Sequence, residues 1–448
     1  MKTNRKITTR FREILRQELQ IWQSDGLVSA EQSAVISQKY RLDQIQKEST
    51  HLLILAIYII GAALIGGGVI SFVAAHWEII PAGVKVAMII ACMLAGHIIG
   101  YYLWKISGIS PRLGHALVVL GTIVFGANIG LMAQIFNIQS NFYNGFFAWA
   151  IGAILMAYAL QSIPNAVVAI IVWFIGFCGG VESHERIFAV YPFIAAAVFL
   201  LFAFINRSVL VFSLSLLAAG FAVVIHTFTL SDNWTHLISS GLVAPGIALL
   251  LVGIGLLLRQ TVNSSVFGSN AMIIAAVFAA FGAYVSSFHS YDMRFPELLK
   301  ERLWLSSAIP VYVLCVAVWL VALKHVLSDM QARWFSGGML ASCILVAAPI
   351  VITPLVMSSP DSFWCVVSAN TACVILAVTF IANGFLLLDR QIFWAGILFT
   401  ALVIASRFLE YETGLVIKAV IFITCGIAII LAGVGFENYL RKRRIANE

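Results

Sequence analysis

Charged side chains are scarce in this sequence. Asp, Glu, Lys and Arg together make up 10% of its 448 residues, whereas an ordinary soluble domain carries about 25%. Hydrophobic residues make up 61%. A soluble fold of this size could not cover so much apolar surface, because its own exterior must face water. The composition excludes a soluble globular protein and indicates one whose outer surface faces lipid.

The sequence also lacks the motifs that most enzymes and metal sites use. None of its seven cysteines forms a CxxC pair, and all of them lie in or beside apolar segments, which excludes a disulfide framework and a cysteine zinc site. There is no P-loop, no HExxH helix, no GxSxG nucleophile elbow and no acidic metal-binding cluster. We expect no cofactor and no nucleic-acid partner, and ATP-driven transport and the common hydrolase reactions are disfavoured.

Long apolar runs, separated by short polar breaks, fill the chain from residue 51 onward. Most of them reach the ~20 residues that a helix needs to cross the hydrocarbon core. The sequence therefore predicts an all-α fold, a polytopic bundle of about 14 transmembrane helices over residues 51–437. The predicted spans are 52–74, 82–104, 113–136, 142–160, 163–180, 187–205, 209–228, 238–258, 267–288, 305–323, 335–357, 363–388, 392–406 and 415–436. Spans 163–180 and 392–406 are the shortest.

Residues 1–50 predict a basic helical hairpin outside the bilayer. Asp25-Gly26 breaks the helical pattern, and Ser29 followed by Gln32 is a capping-box signature for the second helix. This hairpin could dock a partner protein or the membrane surface through the apolar stripe of its first helix. That stripe consists of Phe11, Ile14, Leu15, Leu19 and Trp22, which recur at helical spacing.

The distribution of Lys and Arg predicts which way the chain crosses the bilayer. Basic residues concentrate in cytoplasmic segments of membrane proteins. With an even number of spans, most of the 27 Lys and Arg residues fall on the side that holds both termini, including the basic tail 438–448. The sequence thus predicts cytoplasmic N- and C-termini. The lipid bilayer is the expected partner, and anionic lipids would be attracted to the basic tails.

Ionisable residues at the outer end of the thirteenth span form the first candidate polar site. Arg407 and Glu410 are three residues apart, so they share one helix face and can pair. Lys418 follows at the start of the next span. The group could line a cavity that binds a substrate, or it could clamp the last helix hairpin, and the structural interpretation is favoured because residues near a span end can reach the interface.

A polar stripe on the third span forms the second candidate. Gly126 and Gly130 fit the small-xxx-small pattern of helix packing, and the amides of Asn128 and Gln134 can hydrogen-bond between helices. The alternative is that Asn128 and Gln134 contact a substrate or ion. His97, which lies in another span, is favoured as a core residue rather than part of a proton relay.

Three sequence segments resemble one family. They are 22–29 with Glu31-Gln32 and Tyr40, then 121–137, which ends Ala133-Gln134-Ile135-Phe136-Asn137, and Ser406-Arg407-Phe408-Leu409-Glu410. Together they resemble a family of bacterial predicted membrane proteins catalogued as domain of unknown function 2157. Leu409 replaces an aromatic residue that many members have. The resemblance implies a helical hairpin followed by many apolar spans in a bacterial inner membrane, and it implies no activity.

Three functions remain open on the sequence alone. The span count and the polar residues within spans favour a transporter or flippase of a small or lipid-linked solute. The N-terminal hairpin suggests the alternative of a non-enzymatic cell-envelope scaffold or accessory protein. An enzyme acting on a lipid-linked substrate ranks last, and its candidate residues are His184, Glu185, His289 and Asp292 in outer loops.

Overall fold

The computed structural model describes residues 15, 18–19, 21–40, 79–181, 186–229, 239–260, 265–288, 305–326, 336–348, 363–410 and 415–445. These residues form helices and connecting turns, with no β-strand among them. The predicted all-α membrane bundle is therefore confirmed. The chain divides into two compact units, Met1–Met88 and Ile89–Glu448.

The first unit contains the predicted hairpin. Its first helix ends in a turn where Gly26 has a φ of +71°, a left-handed conformation that glycine adopts without steric cost. The second helix, α1, is Ala30–Tyr40. Ser29 Oγ accepts a hydrogen bond from the Gln32 backbone N–H at 3.2 Å, and Gln32 Oε1 accepts one from the Ser29 N–H at 3.1 Å. This is the predicted capping box.

The apolar stripe of the hairpin packs against the hairpin itself. Leu19 is only 4% exposed and is surrounded by four partly buried side chains from both helices. They are Leu15, Trp22, Ile36 and Tyr40. Part of the surface that could have docked a partner is therefore used to hold the two helices together.

The apolar segments form a succession of helices. They are α2 (Ala82–Tyr101), α3 (Pro111–Ile135), α4 (Phe142–Leu160), α5 (Ile163–Gly180), α6 (Tyr191–Ile205), α7 (Val209–Thr229) and α8 (Ala244–Leu258). They continue as α9 (Ser265–Ser286), α10 (Leu305–Val326), α11 (Ser336–Ala348), α12 (Phe363–Leu387), α13 (Arg390–Glu410) and α14 (Leu415–Ile445). A π-helical turn, Tyr102–Ile106, extends α2, and another, Ser239–Val243, precedes α8.

Ten helices in the described part of the chain are long and apolar enough to cross a membrane. They coincide with ten of the predicted spans. Helices α10, α11 and α13 lie where three more are predicted, and span 52–74 falls outside the described residues. The predicted total of about 14 therefore stays a prediction. The shortest predicted span, 392–406, is part of a 21-residue helix, because Asp389 Oδ1 accepts the Gln391 N–H at 2.8 Å and starts α13 earlier.

Contacts between helix ends agree with a chain that alternates in direction. His115, near the start of α3, is 2.7 Å from Ser162 Oγ, which precedes α5. Arg407, near the end of α13, reaches Ser287 at the end of α9. Helices α3 and α5 thus run parallel, and so do α9 and α13, as crossings of a bilayer by alternate spans require.

The main core lies among α4–α12 and is rich in fully buried phenylalanines, among them Phe177, Phe202, Phe212 and Phe278. Outward-facing side chains are equally apolar. Leu155 is 64% exposed and Leu201 57% exposed. So much apolar surface on the outside is expected where lipid, not water, is the surrounding solvent.

Candidate functional site

A cavity of about 760 Å³ lies between α2, α3 and α4. Its walls are mostly apolar, and three residues bring polar side chains to it, namely Asn128, Ser140 and Asn141. The remaining lining residues are Ile90, Met93, Phe125, Gly126, Ile129, Gly130, Met132, Ala133, Ile138, Phe142, Gly145, Phe146 and Trp149. An apolar cavity with a few polar groups is the usual form of a small-molecule site.

Asn128 is the buried polar group of this cavity. Its side chain is 5% exposed, and its Oδ1 has no hydrogen-bond partner among the described residues. A buried amide without a partner costs about 1–3 kcal/mol, so such groups need an explanation. An amide presents both donors and an acceptor. Asn128 is therefore suited to hydrogen-bond a polar group that enters the cavity.

Two glycines one turn apart on α3 have opposite surroundings. At Gly126, an added methyl group would lie 2.1 Å from Trp149 Cδ2. The indole is held there because Trp149 Nε1 donates to the Thr122 carbonyl at 2.9 Å. At Gly130, an added methyl group would meet nothing within 4 Å. Gly126 thus packs α4 against α3, as the small-xxx-small pattern predicts, whereas Gly130 leaves part of the cavity open.

The rim of the cavity is polar at the start of α4. Asn141 precedes the helix, and its side chain makes no capping bond to it. Instead, Asn141 Nδ2 donates to the Tyr143 hydroxyl at 2.8 Å, and Asn144 Nδ2 donates to Ser140 Oγ at 3.4 Å. The first N–H groups of a helix lack intrahelical partners and carry a partial positive charge.

Gln134 does not join Asn128. It lies on α3 and is exposed, and it is not part of the cavity lining. Of the two amides singled out on this span, the structure places Asn128 at the cavity and Gln134 on the surface.

Arg407 and Glu410 form an ion pair, as their spacing predicts. The two side chains are 17% and 9% exposed. Arg407 also donates to the Ser287 carbonyl at 2.8 Å and to Ser287 Oγ at 2.5 Å. Its guanidinium lies over the Phe288 ring, 4.5 Å from the centroid. The cation is therefore neutralised and hydrogen-bonded within the bundle, with only its Nε unpartnered.

The Ser287 carbonyl at the end of α9 ties three helices together. It accepts a hydrogen bond from Asn370 Nδ2 of α12 at 3.1 Å as well as from Arg407 of α13. Carbonyl groups at a helix C-terminus attract cations. Lys418 lies near the start of α14, and its side chain falls outside the described residues. This geometry is that of a clamp that fixes α9, α12 and α13.

The histidines of the described spans have local partners. His97 Nδ1 donates to the Met93 carbonyl at 2.9 Å. His115 bonds Ser162 and stacks on Trp104 with 4.0 Å between ring centroids. The described residues contain no group of three or more His, Cys, Asp or Glu that could hold a metal ion. His184, Glu185, His289 and Asp292, the candidates of the enzyme hypothesis, lie outside the described residues.

Sequence reasoning found Asn128 but missed the cavity beside it. Gly130 and Trp149 shape that cavity, and both have unremarkable sequence neighbours. The only available signal was the glycine pair on α3, and it pointed to close packing at both positions.

Comparison with known proteins bears on the part of the chain that holds the cavity. Residues 20–165 match the model of a family described as predicted membrane protein (DUF2157). This confirms the resemblance over the hairpin and helices α2–α4, and every residue that lines the cavity lies within the match. No curated protein and no solved structure matches the chain significantly.

Proposed function

We propose that this membrane protein is a transporter or flippase of a small or lipid-linked solute, acting in a bacterial inner membrane with both termini cytoplasmic. The observation that carries the proposal is the cavity between α2, α3 and α4, with the unpartnered amide of Asn128 in its wall. The walls of this cavity suit an apolar chain, and the amide suits a polar group attached to that chain.

The position of the cavity along the helices fits a substrate that enters from the lipid. Its lining comes from the end of α3 and the beginning of α4, which the predicted orientation places in the outer half of the bilayer. Ile138 and Phe142 at the rim are 57% and 64% exposed. A chain-bearing solute would therefore reach Asn128 without crossing water.

The role of Arg407 and Glu410 in this proposal is to fix the bundle around the transport path. Arg407 contacts Ser287, Phe288 and Glu410. Both terminal nitrogens of Arg407 already have partners and only its buried Nε has none, whereas Asn128 has an unpartnered oxygen beside a cavity. We therefore place substrate recognition at Asn128.

A cavity-filling variant tests the site. Gly130→Leu should place its side chain in the open space, because nothing lies within 4 Å of the added carbon. Gly426→Leu is the matched control, since Gly426 of α14 is also inside a helix with nothing within 4 Å. Thermal unfolding of the purified proteins would be measured with a panel of phospholipids, lipid-linked sugars and small amphiphiles. A ligand of the folded state raises its stability.

We expect at least one chain-bearing ligand to stabilise the wild type and the Gly426→Leu protein, but not the Gly130→Leu protein. If the ligand still raises the unfolding temperature of the Gly130→Leu protein, the cavity is not the binding site. Movement of a fluorescent form of that ligand between leaflets of proteoliposomes would then test transport. Binding without movement would overturn transport.

A scaffold role is the second candidate. The described hairpin leaves Leu27 and Val35 exposed by 73% and 64%, which is the surface through which a partner would dock. A protein that copurifies with the full chain and is lost on the double change Leu27→Ser and Val35→Ser would favour it.

A further inference from the structure

A second cavity, of about 380 Å³, lies between α4, α5 and α6. Four aromatic side chains line it, Phe147, Trp173, Tyr191 and Phe199, and Asn144 supplies an amide. The other lining residues are Ala150, Ile151, Ile154, Ile194, Ala195 and Val198. Its chemistry is therefore similar to that of the first cavity, with apolar walls and a polar side chain at the start of α4.

The two cavities lie on opposite faces of α4. Successive residues of an α-helix are about 100° apart around its axis. Phe142, Phe146 and Trp149 face the first cavity, while Phe147 and Ile151 face the second. This spacing puts the two sets more than a third of a turn apart.

A strip of small or polar side chains separates the cavities on the lipid-facing side of α4. Asn144 and Ala148, one turn apart, are both exposed, whereas Gly152, a turn further on, is covered by the Phe125 ring of α3. Asn144 and Ala148 therefore present little bulk between the two cavities near the start of α4. A molecule that lies across it can therefore extend into both.

The start of α4 joins the cavities through polar groups. Ser140 and Asn141 line the first cavity, and Asn144, which donates to Ser140, lines the second. No side chain caps this helix end, and uncapped helix N-termini bind phosphate groups. The unpartnered Oδ1 of Asn128 shows independently that the first cavity holds unmet hydrogen-bonding capacity.

We propose that the substrate is a two-chain glycerophospholipid that straddles α4, with one acyl chain in each cavity and its phosphate over Ser140, Asn141 and Asn144. This inference rests on the proposed function and narrows its substrate class. Below the phosphate, the glycerol ester carbonyls of the lipid accept hydrogen bonds, and the Asn128 amide donates them after rotation about its last bond.

The test compares three lipids. The first two share a headgroup, and the first and third share a pair of acyl chains. They are phosphatidylglycerol, lysophosphatidylglycerol with one chain, and diacylglycerol without phosphate. Apparent affinities would be measured from thermal stabilisation of the full chain in detergent. We expect phosphatidylglycerol to bind at least about tenfold more tightly than either of the others. Burial of two further methylenes already suffices for a change of that size against the one-chain lipid, and diacylglycerol lacks the phosphate that the start of α4 would bind.

Val198→Trp would fill the second cavity from α6, where Val198 is 36% exposed. Val277→Trp is its control, because Val277 of α9 is 42% exposed and lines neither cavity. We expect Val198→Trp to lower the affinity for phosphatidylglycerol to that for the one-chain lipid, and Val277→Trp to leave the preference unchanged.

The outcomes separate this inference from the proposed function. Equal binding of one-chain and two-chain lipids, still abolished by Gly130→Leu, would overturn the straddling lipid and leave the first cavity as the site. Equal binding of diacylglycerol and phosphatidylglycerol would overturn the phosphate site at the start of α4. Binding of none of the three lipids, together with stabilisation by another chain-bearing solute, would overturn the substrate class alone.

Discussion

Arg407 and Asn128 are both polar, both at least partly buried within the bundle and both predicted from the sequence as candidate site residues, yet their surroundings differ. Arg407 has an acid, a carbonyl, a hydroxyl and an aromatic ring as partners. Asn128 has an acceptor atom without any partner in the described part of the chain, and a cavity beside it. A polar group whose hydrogen bonds are already made holds structure, and one whose bonds are unmet is available to a ligand.

Mutation of the two residues should therefore have opposite consequences for stability. Removing a polar group that has hydrogen-bond partners leaves those partners without a bond, so stability falls. Removing an unsatisfied group relieves a cost, so stability holds or rises while ligand binding falls. Each of the following changes tests one side of this contrast.

Arg407→Ala should cause the largest loss of stability. It leaves Glu410, 9% exposed, as a buried acid without its cation, and it removes two bonds to Ser287. We expect a loss of about 2–4 kcal/mol in the free energy of unfolding, measured in mixed micelles. The same helix offers the control, because Arg390 pairs with Glu437 at 2.6 Å where both side chains are about half exposed, 58% and 45%.

Arg390→Ala should cost less than about 1 kcal/mol, as exposed ion pairs do. The double change Arg407→Ala and Glu410→Ala should recover part of the loss, since the stranded acid is gone. If Arg407→Ala is as stable as Arg390→Ala but loses ligand binding, then Arg407 is a binding residue and the clamp interpretation is wrong.

Gly126→Ala should have the next largest effect. The added methyl group would overlap the Trp149 ring, which is fixed by its bond to Thr122, so α3 and α4 must move apart. Overpacking of this kind costs about 1–3 kcal/mol. Gly130→Ala, four residues along the same helix, should be neutral or stabilising by up to about 1 kcal/mol, because alanine favours the helix and nothing obstructs it.

Thermal unfolding of these two variants, side by side, measures the difference. Equal destabilisation by both would mean that Gly130 also packs against a neighbouring helix. The cavity would then be smaller than its lining residues indicate, and Gly130→Leu could not be used to fill it.

These two glycines also mark how far sequence reasoning reaches. The apolar runs predicted the helices, because hydropathy and length decide what can span a bilayer. Ser29 with Gln32, and Arg407 with Glu410, were predictable because their partners are three residues away. Gly126 and Gly130 look alike in sequence, and only the position of Trp149 on the next helix separates them.

Long-range partners account for the rest of what the sequence did not reveal. Ser287 is 120 residues before Arg407, so spacing could not indicate that the cation ends at a helix C-terminus. The cavity is likewise a property of three packed helices. Hydropathy reports which residues avoid water, and it carries no information about the space left between them.

Asn128→Leu should have the smallest effect on stability and the clearest effect on binding. Leucine has the same branched shape as asparagine and makes no demand for a hydrogen bond, and the adjoining cavity has room for its larger volume. The ligand-free protein should therefore be unchanged or more stable by up to about 1 kcal/mol. The bound substrate loses its hydrogen-bond partner in the cavity wall, so the apparent affinity of the protein for the ligand should fall about tenfold. Thermal unfolding with and without the best ligand gives both quantities from one protein. A variant that is markedly less stable without ligand would mean that Asn128 already has a partner, and the contrast with Arg407 would fail.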